Sequence, residues 1–155
     1  MYVFDNSPLS TLFRNYYRNR FPSLWRNFDA IVDQGALVST REVFREIIEG
    51  PITELRDWAE DHQSLFATPM AAEGGFVAKL YAVSHFQQNI EQQKLLKGGL
   101  NADPFVIARA AVEERTVVTM EKLKPHAAKI PNICQHFGIG FMTLEEFMEA
   151  ENWQF

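Results

Sequence analysis

Apolar residues along this chain fall into two patterns: short unbroken runs, and longer stretches at helical spacing. Tyr2-Val3-Phe4 is the first run, and Asp5-Asn6-Ser7-Pro8 follows it with turn and cap residues, so residues 2–5 read as a buried strand. Leu9 to Asn19 reads as a helix, interrupted at Phe21-Pro22-Ser23. Pro22 suits the first turn of a second helix, in which Leu24, Phe28, Ile31 and Val32 recur at helical spacing until Gly35. Ala36-Leu37-Val38 is the next short run. Ser39-Thr40-Arg41-Glu42 has the form of a capping box, and the helix it opens places Val43, Phe44, Ile47 and Ile48 on one side before Gly50-Pro51. Ile52, Leu55, Trp58 and Ala59 mark a further amphipathic helix.

From about Ser64 to Leu100 the pattern weakens. Phe76 to Ile90 is expected to be helical, with Val77, Leu80, Tyr81 and Ser84 inward, and Lys97-Gly98-Gly99 to be a loop. Asp103-Pro104 opens a helix containing Phe105, Val106, Ile107, Ala108, Ala110 and Ala111, which is apolar on most sides and hence buried. Thr116-Val117-Val118-Thr119 reads as a third strand, Lys129 to Phe137 as a short helix bounded by Pro131 and Gly138, and Ile139 to Met142 as a fourth strand. Thr143 with Glu146 forms a second capping box at the start of a last helix. No repeat is visible.

Short unbroken apolar strands alternating with helices predict an α/β fold, its parallel sheet covered on both faces. Crossovers in such a sheet are right-handed, and sites gather beyond the carboxyl ends of the strands. Asp5 and the Thr119–Glu121 turn lie at such ends.

The length of 155 residues fits one domain, 1–155, with a core of its own. Apolar residues at 46% and charged residues at 23% are ordinary for a soluble globular protein, and no run of about 18 apolar residues predicts a membrane span. The N-terminus lacks the form of a signal peptide, and the single cysteine, Cys134, builds neither an internal disulfide nor a cysteine zinc site, so a cytoplasmic location is expected. A net charge of −5 argues against coating nucleic acid by bulk charge. Locally, Arg14, Arg18, Arg20 and Arg26 interleave with Tyr16, Tyr17 and Trp25, which reads either as a phosphate-holding patch, with Arg14, Arg18 and Arg20 as nucleic-acid-binding candidates, or as a solvated helix face.

Four separated acids carry the candidate chemistry: Asp5 at the end of the first strand, Glu46 on the helix after the second, Asp103 at the start of the apolar helix, and Glu121 after the third strand. Hard divalent cations such as Mg2+ or Mn2+ take carboxylate oxygens, and clustered carboxylates without a cation would repel one another. A cation at such a site activates water and stabilises charge on a phosphate. Each acid also has a simpler explanation. Asp5 and Asp103 would serve as N-caps, with Pro104 as first helical residue, and Glu46 and Glu121 would be surface groups. His62, His85, His126 and His136 show no ligand spacing, Gly98-Gly99 is not part of a phosphate loop, and Cys134 fits the core.

Taken together, the segments Tyr2–Ser7, Val38–Ile47, Asn101–Ala108 and Val117–Glu121 resemble the PIN-domain family over nearly the whole chain, through its ordered Asp, Glu, Asp, Asp pattern. They look closest to a PIN-like branch with a Val-Val-Thr-x-Glu element. The resemblance implies a three-layer α/β/α sandwich around a parallel sheet and a metal-dependent endoribonuclease, often the toxin of a toxin–antitoxin pair. It implies that Asp5, Glu46, Asp103 and Glu121 form the catalytic and metal-binding set, supported by Asn6, Ser7 and Thr119. RNA as substrate, an antitoxin partner and a homodimer follow from the same resemblance. The fourth acid of the pattern is usually Asp, and Glu121 carries its oxygens roughly 1 Å further out. Two other readings remain open: a non-catalytic PIN-like module that binds protein or RNA, and a phosphotransfer domain of similar layers. The latter lacks its paired acids, since Asp5-Asn6-Ser7 supplies neither acidic pattern.

Overall fold

A computed structural model describes residues 1–96 and 100–155. The expected loop at Lys97-Gly98-Gly99 lies outside the described residues. Strand β1 (Tyr2–Phe4) leads into α1 (Asn6–Asn15) and α2 (Pro22–Asp33), then β2 (Leu37–Thr40), α3 (Arg41–Glu49) and α4 (Thr53–Asp61). Strand β3 (Phe66–Ala67) follows, then α5 (Ala71–Tyr81), α6 (Gln87–Leu96) and α7 (Asp103–Glu113). The chain ends with β4 (Thr116–Val118), α8 (Ile130–Phe137), β5 (Phe141–Met142) and α9 (Leu144–Ala150).

The five strands form one sheet in the order β3-β2-β1-β4-β5, and every pair is parallel. Helices cover both faces, giving a three-layer α/β/α sandwich of PIN-like topology. The layering follows from composition: Val3, Phe4, Leu37, Val117 and Val118 are fully buried, so both faces of the central strands need cover. Helix α7 packs against β1, β2 and β4, with α5 and α8 against it. Phe147 of α9 meets Tyr2 and Phe4 edge-on at 4.8 and 5.0 Å. Arg109 of α7 donates to the carbonyls of Ser39 and Leu65, tying α7 to β2 and to the turn before β3.

Connections from β1 run to β2 and β3 on one side, then return to β4 and β5 on the other. The strand order therefore reverses between β1 and β4, where α/β sheets open a crevice at their carboxyl edge. The backbone N–H of Asp5 donates to Val118 O at 2.9 Å across that junction.

Several sequence expectations shift. The fold has a fifth strand, β3, too short for alternation to reveal. Helix α1 starts at Asn6 and stops at Asn15, earlier than Leu9 to Asn19 implied. The helix expected over Phe76 to Ile90 is two helices, α5 and α6, separated by a 3-10 turn at Ser84–Phe86, and Ser84 is exposed. The cap of α3 is Thr40, whose hydroxyl accepts from Val43 N at 3.2 Å, because β2 runs on through Ser39. Ser39 Oγ instead donates to Phe4 O at 2.7 Å. The capping box at Thr143 and Glu146 forms as expected.

Candidate functional site

Asp5 leaves β1 at the reversal point. Its Oδ1 accepts from Asn6 N at 2.8 Å, capping α1, and its Oδ2 accepts from Ser7 Oγ and Thr119 Oγ1, both at 3.1 Å. Thr119 Oγ1 in turn accepts from Glu121 N at 3.2 Å, and Ser7 Oγ from Met120 N at 3.0 Å. Asn6, Ser7 and Thr119 thus surround Asp5, and the end of β1 is bound to the end of β4 through side chains.

Glu46 lies one helical turn beyond Glu42 on the inward face of α3. Its Oε1 accepts from Ala102 N at 3.1 Å, at the start of α7. This bond explains a departure from expectation. The N-cap of α7 is Ala102, and Asp103 sits inside the first turn. Glu46, arriving from another helix, meets the backbone N–H of the cap residue itself, the donor that the glutamate of a capping box takes. The Asp103 carboxylate is left for a different contact: Oδ2 accepts from Asn89 Nδ2 at 3.0 Å. Glu121 Oε2 accepts from Ile130 N at 3.0 Å, the first residue of α8.

Asp5, Glu46 and Asp103 are 3%, 8% and 0% exposed, and Glu121 is half-buried. A buried carboxylate is costly unless hydrogen-bonded. Here three of the four acids each accept a backbone N–H at the start of a helix, α1, α7 and α8 respectively. Those are unmet donors of a helix terminus, and the helix dipole favours negative charge there.

Glu46 lies beside the start of Asp103's helix, and Asp5 is joined through Thr119 to the backbone of Glu121. Among the described residues, no group of three or more His, Cys, Asp or Glu side chains stands so as to hold a metal ion. The negative charges of Glu121 and Asp103 both reach Cys134. Burial above all, then those two charges, push its thiol up to about 12. Cys134 is a core residue with its proton held. Tyr81 is likewise raised to about 12 by burial and then by Asp103, partly offset by a hydrogen bond from Asn101.

Asn89 was not singled out from the sequence. It is 1% exposed, and its Nδ2 donates to Asp103 Oδ2 and to Ala128 O, both at 3.0 Å. Its Oδ1 accepts from Asn101 Nδ2 at 3.0 Å, and Asn101 Nδ2 also donates to Tyr81 Oη at 3.1 Å. Both donors face acceptors and the acceptor faces a donor, so the amide has one workable orientation. The available signal was position: Asn89 shares the inward side of α6 with Ile90, three and four residues after Phe86.

The arginines lie elsewhere. Helix α1 starts at the carboxyl edge and its ten residues carry the chain about 15 Å away. Arg14 is exposed in its last turn. Arg18 is held by Asp29 through two hydrogen bonds of 3.0 and 3.2 Å, and stacks 4.2 Å from the Trp25 ring. Arg18 and Arg20 line a cleft of about 920 Å³ whose walls also carry Asp29, Asp33, Glu54, Asp57 and Asp61. That cleft is strongly acidic, which suits a phosphate backbone poorly.

A three-layer α/β/α sandwich around a five-stranded parallel sheet, PIN-like in topology, is the class these observations define. Residues 2–155 match the family described as Domain of unknown function (DUF4411), and the chain belongs to it. No curated protein and no solved structure shows a significant match. Among the described residues, no helix is long and apolar enough to cross a membrane.

Proposed function

We propose that the protein is a metal-dependent endoribonuclease with Asp5, Glu46, Asp103 and Glu121 as its catalytic set. The observation that carries the reading is the placement of carboxylates from four chain segments around the carboxyl edge, three of them buried. Carboxylate oxygens are the donor type that a hard divalent cation, Mg2+ or Mn2+, takes. These four residues would hold the cation, which would supply activation of water and charge on the phosphate. Ser7 and Thr119 orient the Asp5 carboxylate, and backbone N–H groups at the starts of α1, α7 and α8 donate to Asp5, Glu46 and Glu121. An antitoxin partner, a homodimer and a cytoplasmic setting belong to the same reading.

The test is cleavage of end-labelled single-stranded RNA and DNA with Mg2+, Mn2+ or EDTA. The wild type should cut RNA only with metal, leaving 5′-phosphate ends. Asp5→Ala should lower the rate on the order of 100-fold or more, as when one group stabilising developing charge is lost. Cyclic 2′,3′-phosphate ends would contradict the mechanism, because they require the RNA 2′-hydroxyl as nucleophile.

A non-catalytic RNA- or protein-binding module is the second reading. It is favoured by the capping tasks that Asp5, Glu46 and Glu121 already perform. RNA binding without cleavage under either metal would select it.

A further inference from the structure

We propose that the loop from Lys122 to Lys129 holds the phosphate backbone of a single-stranded nucleic acid, with one unpaired base entering the cleft beside it. The proposal rests on the nucleic-acid half of the nuclease reading and not on cleavage.

The chain carries a net charge of −5, yet these eight residues contain Lys122, Lys124 and Lys129, three of its six lysines, together with His126 and no acid. Lys122, Lys124 and His126 are exposed. None of the three lysines takes part in an ion pair among the described residues. Arg18, by contrast, is tied to Asp29, and Arg20 shares its cleft with carboxylates.

The loop is anchored to the acidic edge at both ends. Glu121 precedes it, and Glu121 Oε2 accepts from Ile130 N just after it at 3.0 Å. Between them, Asn132 Nδ2 donates to Lys124 O at 2.6 Å, Ala127 N donates to Lys124 O at 3.3 Å, and Asn89 Nδ2 donates to Ala128 O at 3.0 Å. These bonds fix the backbone, so the exposed lysines are presented at little further cost in order.

Beside the loop lies a cleft of about 190 Å³ lined by Glu121, Lys122, Leu123, Phe141, Met142 and Thr143, with Glu146. Leu123, Phe141 and Met142 give it apolar walls, and Thr143 and Glu146 give it polar ones. Unpaired bases dock on such surfaces while lysines track the backbone. A duplex keeps its bases inside and leaves this cleft empty. Glu121 belongs both to the cleft and to the acidic set, so a strand bound here lies next to the carboxylates.

The test is fluorescence anisotropy of a labelled single-stranded RNA and of the matching duplex, in EDTA, over a salt series. The proteins are the wild type, the triple variant Lys122→Ala/Lys124→Ala/Lys129→Ala, and the control Arg14→Ala/Arg20→Ala. Losing three phosphate contacts should reduce the slope of log affinity against log salt by about 2. The arginine control should keep the wild-type slope, and the duplex should bind more weakly than the single strand. An unchanged slope in the lysine variant, an equal loss in the arginine control, a duplex bound as tightly as the single strand, or no binding by the wild type would each overturn the proposal. Binding that depends on the lysines in a protein that cuts nothing would support it while removing the nuclease reading.

Discussion

At the amino edge of the sheet, Arg18 meets Asp29 with side chains 38% and 48% exposed. At the carboxyl edge, Asp5, Glu46 and Asp103 are buried and meet backbone N–H groups, hydroxyls and a buried amide. Both edges are rich in acid. The first can leave its charges to water, which screens them and makes each pairing weak. The second has given up water and must satisfy each carboxylate with a built donor. Acid count alone does not mark a site. Burial, together with the donors assembled to permit it, separates the two edges.

The sharpest way to break the comparison is Asn89→Leu. It removes the amide that faces Asp103 and Ala128, and a urea titration should show a loss on the order of 2–4 kcal/mol. A loss below 1 kcal/mol, at about the level of a surface pair, would mean that the carboxyl edge is no more built than the amino edge. A second test uses pH. The Cys134 thiol ionises near 9.0 when free and near 12 in the fold. The folded chain therefore holds that proton more tightly, so this contribution to stability is complete below pH 9 and falls as pH rises towards 12. Urea midpoints at about pH 8 and about pH 11 should fall less for Cys134→Ala than for the wild type. Part of the decline should remain, because Tyr2 and Tyr81 are also raised to about 12. An identical decline in both proteins would place Cys134 outside the low-dielectric interior. The smallest effect belongs to Arg18→Ala, expected to cost under about 1 kcal/mol for the exposed pair and its stacking, with RNA binding unchanged. A marked loss of RNA affinity there would move the phosphate surface to the amino edge.

The fold was legible where the apolar pattern was strong. The central strands show as short apolar runs at Tyr2–Phe4, Leu37-Val38 and Val117-Val118, all buried, whereas the continuation of β2 through Ser39 and Thr40 is hidden by their polar side chains. Strand β3 has two residues, and no periodicity fits in two. Helix α5 has only Glu73 and Leu80 buried, so it lacks the stripe by which a helix is recognised. At the candidate site, positions were easier to read than tasks. Asp103-Pro104 satisfies the local rule for an N-cap, yet Glu46 performs the capping role from 56 residues away. Glu121 reads as surface and instead meets the first N–H of α8. Asn89 lies within the glutamine-rich segment Gln87–Gln92, where composition conceals a polar residue that turns inward. Local rules assume that local groups answer local needs, and at this edge the answers come from elsewhere in the chain.

The outer strands β3 and β5 have two residues each. Their outward sides offer another chain only a brief row of peptide groups, too short to seed continued strand pairing. Edge-to-edge growth into fibrils is therefore disfavoured by the proportions of the sheet itself.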